Sequence, residues 1–286
     1  MPHTLTQRLA IRLLASALII GLNACGGSSE ESTVGSILPD PAPATQHALR
    51  FFGTGLADID RVKIPISSST QVNVGATDFT IEFWLKGQLA DNAAAANCTS
   101  GPDAWRQGNI VIDRDTLGDG DFGDFGLSLF NGRVAFGVAR GATGATICGN
   151  LNVLDGAWHH IAVTRRRSDG KMQLFVDGSL DAQLIASTQT SLDVSYNTAR
   201  STTVPNSDPF LVLGAEKHDA SAAFPSFAGQ LDELRISDNL RYLGLFARPI
   251  APFVADGHTM ALYHFDEGTG VDVSDAAAGA TSPGTL

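Results

Sequence analysis

The sequence is short of positive charge, long apolar runs, helical periodicity and cysteine, and each shortage excludes something. Lysine and arginine total 19 against 30 acidic residues, a formal charge of −11. Such a surface repels phosphate backbones and anionic lipid headgroups, which argues against nucleic acid as a partner. The run Arg165-Arg166-Arg167 is a local exception, and its place at a strand end beside a turn reads as a solvated hairpin tip. The apolar stretch from Leu13 to Leu22 is too short for a comfortable membrane span. Apolar residues at the three- and four-residue spacing of an amphipathic helix are almost absent. No G-x-S-x-G, H-E-x-x-H, C-x-x-C or P-loop string occurs, so the sequence offers no hydrolase, metalloprotease, redox or nucleotide-binding motif.

What is present is the vocabulary of strands and tight turns. The 30 glycines and many Asn-Gly, Asp-Gly and serine-rich turns separate short β-branched or aromatic runs. In FTIEFWLK, Phe79, Ile81, Phe83 and Leu85 line one face and Thr80, Glu82, Trp84 and Lys86 the other, as in a strand with one face in a core. In LSLFNGRVAFGV, Asn131-Gly132 is a two-residue hairpin turn between alternating runs. From Asp155 to Asp181 two further runs face each other across Ser168, Asp169 and Gly170, and Asp177-Gly178 lets the chain reverse again. The expectation is an all-β antiparallel sandwich, one domain of about 240 residues, long enough for a sizeable core.

The run DGAWHHIAVTRRRSDGKMQLFVDGSLD resembles the signature hairpin of the laminin G-like, concanavalin A-like jelly-roll family. ALRFFGTG at Ala48, DRVKIP at Asp60, FTIEFWLK at Phe79, GDFGLSLFNGRVAFGV at Gly123, FAGQLDELRISD at Phe227 and ALYHFDEGTG at Ala261 follow in the family's order. The resemblance implies a jelly-roll sandwich of about 12 to 14 strands. It implies no single function, because lectins, adhesins, receptor-binding modules and glycanases share that fold. Glycanase relatives carry an E-x-D-x-x-E or similar strand that aims two carboxylates at one bond, and no such string occurs here. Asp232 and Glu233 are adjacent on a strand and are expected to face opposite sides, a poor acid-base pair.

Residues 1–24 read as a signal peptide, with Arg8 and Arg12 before the apolar stretch. Leu22-Asn23-Ala24-Cys25 resembles a bacterial lipobox, so Cys25 is the expected lipidation site, and Gly26 after it favours the outer membrane over inner-membrane retention. An ordinary secretory signal with an incidental Cys25 is the alternative. Several acyl chains on one cysteine suffice for stable anchoring. Residues 25–46 are poor in apolar mass and read as a tether with a root-mean-square span of roughly 25 Å, leaving 47–286 as the folded domain. With Cys25 lipidated, Cys98 and Cys148 remain as an expected disulfide in an oxidising compartment, two free buried thiols being the alternative.

Asp113, Asp115, Asp119, Asp121 and Asp124 crowd one loop, a density of carboxylates that a cation or solvent must relieve. Calcium, which takes six to eight oxygen ligands, is the natural cation, and a solvated loop is the alternative. The family resemblance implies a calcium ligand where Asp124-Phe125 stands and a second where Asp208-Pro209-Phe210 stands, giving Asp119, Asp121, Asp124 and Asp208 as the candidate set. Other branches of the superfamily bind calcium elsewhere, and Asp60 and Asp232 are the candidates for such a site. His159 and His160 are separated by strand alternation and read as packing residues, as does His264. Trp105, outside any clear strand, is the candidate sugar-stacking aromatic. These readings converge on a surface-tethered, non-catalytic binding module for carbohydrate, supported by calcium. A protein-binding adhesin or envelope assembly component comes second and a glycanase third.

Overall fold

The computed structural model describes residues 47–54, 60–94, 96–116, 123–197, 209–218 and 220–286. Cys25, Asp119, Asp121 and Asp208 lie outside the described residues. Two sheets face each other. The first holds β1 (Leu49–Phe52), β12 (Ala228–Ser237), β3 (Phe79–Gly87), β8 (His159–Arg165), β9 (Met172–Val176) and β10 (Ser179–Leu184) in that order, with β13 (Thr259–Tyr263) also paired to β12. The second holds β14 (Asp272–Val273), β15 (Gly284–Thr285), β2 (Val62–Pro65), β11 (Phe210–Leu213), β4 (Asn109–Arg114), β5 (Asp124–Phe130), β6 (Arg133–Arg140) and β7 (Thr143–Cys148). All of these strand pairs are antiparallel. The two-residue strands β14 and β15 take the count past the expected number, being too short to leave an alternating pattern.

The alternation read from the sequence sets the core. Phe79, Ile81, Phe83 and Leu85 of β3 and Ile161 and Val163 of β8 point inward to meet Leu127, Leu129, Phe136 and Val138 of the opposite sheet. The hairpin turns follow their dipeptides: Asn131 and Gly132 have φ of 50° and 80°, and Asp177 and Gly178 have 51° and 82°. Positive φ at both central residues matches the twist of the strands they join. Alternation fails at one point. Between Asp232 and Arg235 strand β12 carries one residue more than β3, and Glu233 sits there with φ of 50°. This bulge turns the Glu233 side chain toward His264 and the backbone N–H of Phe253, so Asp232 and Glu233 do not follow simple alternation.

Each sheet also has an outer face, and each is covered in part. Over the second sheet lies the loop after β3, pinned by the Cys98–Cys148 disulfide with Cα atoms 6.0 Å apart. Closing a loop of that size stabilises by at most about 4 kcal/mol on the chain-entropy estimate. Within the loop Trp105 packs on Ile110, Phe130 and Ala135 and is 0% exposed. Its indole rests on Gly126 and Gly137, paired across β5 and β6, where any Cβ would collide with the ring. Trp105 is therefore a packing residue and offers no face to a sugar, contrary to the expectation from its position outside a strand.

Over the first sheet runs a strap, residues 238–258, without strand structure. Tyr242 and Phe246 stack 3.6 Å apart over His160 and Phe175, and Phe253 packs beside Trp84 and Leu262. Arg241 fastens the strap to itself through both oxygens of Asp256, at 2.9 and 2.8 Å.

Candidate functional site

The strap leaves open the end of the first sheet where β1, β12 and β3 meet. Register fixes what stands there. Arg50 on β1 is paired with Gln230 on β12, and Gln230 with Lys86 on β3, so three polar side chains form one row across the outer face. One step along, Phe52 is paired with Ala228, whose small side chain leaves a hollow beside the ring. Past the end of β3, Gln88 and Asp91 also line it. The result is a cleft of about 400 Å³.

Phe52 is the aromatic the sequence analysis missed. It is 66% exposed, while the adjacent Phe51 is buried in the core. Its backbone N–H donates to Asp60 Oδ2 at 2.6 Å, and the N–H of Thr54 donates to the same oxygen at 3.0 Å, so Asp60 fixes the end of β1 and thereby the ring. The Arg50 guanidinium lies 5.1 Å from the ring centroid of Phe52, and the Lys86 ammonium 5.8 Å from that of Trp158. An exposed ring flanked by amides, cations and a carboxylate can stack against the apolar face of a sugar while hydrogen-bonding its hydroxyls.

The carboxylates elsewhere on this face are engaged in structure. Glu82 is wholly buried; it accepts from Tyr242 at 2.6 Å and from Arg235 at 2.9 Å and lies 3.2 Å from His160 Nε2. Burial pushes its carboxyl up, but the bonds to His160, Arg235 and Tyr242 outweigh that and hold it below its ordinary value. Glu233 meets His264 Nδ1 at 2.7 Å, and burial pushes its carboxyl up. His159 lies between Asp177, at 2.8 Å, and Asp155, at 3.1 Å. Each histidine of the sequence analysis thus has a structural partner.

A second cluster occupies the far end of β4 in the other sheet. Asp115, Glu216 and His218 bring one ligand atom each within 4.8 Å of one another. Arg106 also reaches Asp115, at 2.9 Å. Asp113 accepts from the backbone N–H of Asp115 at 2.7 Å and of Lys217 at 2.9 Å. Asp124 accepts from the N–H of Thr116 at 2.8 Å. Burial, with Glu216 and Asp115 nearby, raises the Asp113 carboxyl to about 7, and burial with Asp115 raises that of Asp124 to about 8. Lys217 beside Asp113 and Arg114 beside Asp124 offset this only in part, and the oxygen and imidazole donors of Asp115, Glu216 and His218 fit a divalent cation. Of the expected ligands only Asp124 is among the described residues, and it lies in this cluster. The spacing rule pointed to the acidic loop; Glu216 and His218 reach the cluster from the end of β11, a tertiary proximity with no local signal.

An antiparallel jelly-roll sandwich with a polar, aromatic-walled cleft on one sheet is the frame of a lectin-like domain. The family model described as the concanavalin A-like lectin/glucanases superfamily, Laminin_G_3, matches residues 60–241, and the chain belongs to that family. A Bacteroides ovatus protein proposed to bind carbohydrate is similar in structure, with a TM-score of 0.52, 15% identity and 79% of this chain covered. This chain spans 55% of that protein. Domains LG4-5 of the mouse laminin alpha1 chain align with a TM-score of 0.42 and 14% identity, over 76% of this chain and 50% of that one. The CBM40 domain of the Ruminococcus gnavus IT-sialidase aligns at 0.43 and 13%, over 69% and 92%. At these identities the likeness is one of fold.

Proposed function

We propose that this protein is a non-catalytic module that binds carbohydrate in the Phe52 cleft and is held at a bacterial outer membrane by lipid on Cys25. The observation that carries the reading is Phe52 itself, a large ring left 66% exposed beside a polar hollow and held there by Asp60. The fold shared with the Bacteroides ovatus protein is consistent with it. So is the engagement of Glu82 and Glu233 in buried hydrogen bonds, which leaves neither poised as an acid or base. Calcium bound by Asp124, with Asp119, Asp121 and Asp208, would neutralise the crowded end of β4 through oxygen ligands and stiffen the sandwich.

The test is a glycan array probed with the full-length protein, followed by Phe52→Ala. Because the ring is exposed, the variant should keep its melting temperature. It should bind any glycan selected on the array at least about tenfold more weakly, the equivalent of 1.4 kcal/mol. Absence of glycan binding by folded protein refutes the reading. A protein partner is the second reading, favoured by one observation: Leu243, Leu245, Ile250 and Val254 of the strap are 71 to 85% exposed. Pull-down by the wild type that is lost on replacing these four with serine, with an empty glycan array, would select it.

A further inference from the structure

We infer that the ligand of the cleft is an anionic saccharide, its carboxylate or sulfate held between Arg50 and Lys86 while a sugar ring lies against Phe52. This rests on the carbohydrate reading above and names the class of sugar. Arg50 and Lys86 stand in one row, two strand spacings or about 10 Å apart at Cα, with Gln230 between them. Among the described residues neither makes an ion pair. Each is instead placed by an aromatic ring, Arg50 by Phe52 and Lys86 by Trp158. That arrangement holds the cation in position and leaves its N–H donors unspent, and a guanidinium fork matches the two oxygens of a carboxylate or sulfate.

The surroundings sharpen the case. In a chain of net charge −11, two cations without a carboxylate at salt-bridge distance make the cleft a local positive site. Several arginines elsewhere are paired with carboxylates, Arg235 with Glu82, Arg241 with Asp256, Arg106 with Asp115 and Arg166 with Asp169. Asp91, past the end of β3, is the one carboxylate among the residues lining the cleft, able to accept from sugar hydroxyls and to disfavour a second acidic group there. Gln230 in the middle of the row offers both a donor and an acceptor. The geometry therefore selects a saccharide with one acidic group on the β1–β3 row and neutral hydroxyls toward Asp91.

The experiment titrates the full-length protein by calorimetry with three acidic trisaccharides, one ending in a uronate, one in a sialate and one bearing a sulfate ester. Each is paired with its methyl ester or desulfated form. At least one acid should bind tenfold or more tightly than its neutral partner and weaken as salt rises. Arg50→Gln and Lys86→Gln should each erase most of that preference and leave the neutral sugar's affinity and the melting temperature unchanged. The three acids distinguish carboxylate from sulfate. Equal binding of acid and neutral forms, lost only in Phe52→Ala, overturns this inference and leaves the carbohydrate reading standing. Binding of none of the six overturns this inference, and the glycan array alone then decides the carbohydrate reading.

Discussion

At the scale of single residues, the two aromatics that matter exchange roles relative to their sequence positions. Trp105 sits in a loop yet is buried, because Gly126 and Gly137 clear a flat place for its indole. That signal was legible: the Asn131-Gly132 turn pairs Gly126 with Gly137 by simple counting along the hairpin, and two facing glycines on an outer face call for a large ring from elsewhere. Phe52 was harder to read. Of two adjacent phenylalanines one must point in and one out, and a four-residue strand gives too little alternation to say which. Removing Trp105 leaves a cavity against Ile110, Phe130 and Ala135, so Trp105→Ala should destabilise by about 3–5 kcal/mol. Urea denaturation measures this. Glycan affinity of the folded fraction should not change, and a loss of affinity there would mean the sugar site is not at Phe52.

At the scale of elements, most strands and the hairpin turns at Asn131-Gly132, Ser168 to Gly170 and Asp177-Gly178 were legible because alternation and turn residues are local signals. The bulge at Glu233 was not, since Asp232-Glu233-Leu234 carries no glycine to mark a positive φ. Nor was the strap from 238 to 258, whose order comes from tertiary contacts with Glu82, Trp84 and His160 rather than from its own periodicity. Tyr242 is one of its polar attachments: burial and the Glu82 carboxylate both push its phenol well above the ordinary value, keeping it a donor. Tyr242→Phe keeps the stack on Phe246 and removes one hydrogen bond to a charged group, worth about 1.5–3 kcal/mol. Hydrogen exchange should show faster exchange of the strap amides with little change in β5 and β6. Uniform acceleration through both sheets would show that the strap does not open separately.

At the scale of the whole molecule, the cluster at the end of β4 gives the domain a pH dependence whose sign is fixed. Asp113, held at about 7, and Asp124, at about 8, keep protons that the unfolded chain releases above about pH 4. The folded state thus binds more protons than the unfolded one, and stability falls as pH rises from about 5 to 8. His159, raised by its bond to Asp177 and then by Asp155, acts in the same direction, its stabilisation being lost as it deprotonates. In chelator the melting temperature should drop on the order of 5 °C across that range, at about 2–4 °C per kcal/mol for a domain of this size. Calcium at pH 8 should restore part of the loss by binding the folded state. A melting temperature that is flat or rises with pH, and is unmoved by calcium, would count against both the raised carboxylates and the cation.

The strand that carries Arg50 and Phe52 is also the first described strand of the chain, four residues long, and its pairing is with β12 alone. Mechanical load entering at residue 47 therefore reaches the binding strand before any other part of the sandwich. Peeling β1 from β12 takes four residue pairs out of register and carries Arg50 and Phe52 away from Lys86 and Gln230, while the core strands β3 and β8 stay joined. On the proposed reading, the contacts of Arg50 and Phe52 with a ligand and the edge pairing of β1 share the same four residues, so tension from that end would unzip one edge strand and loosen the ligand while β3 and β8 stay joined.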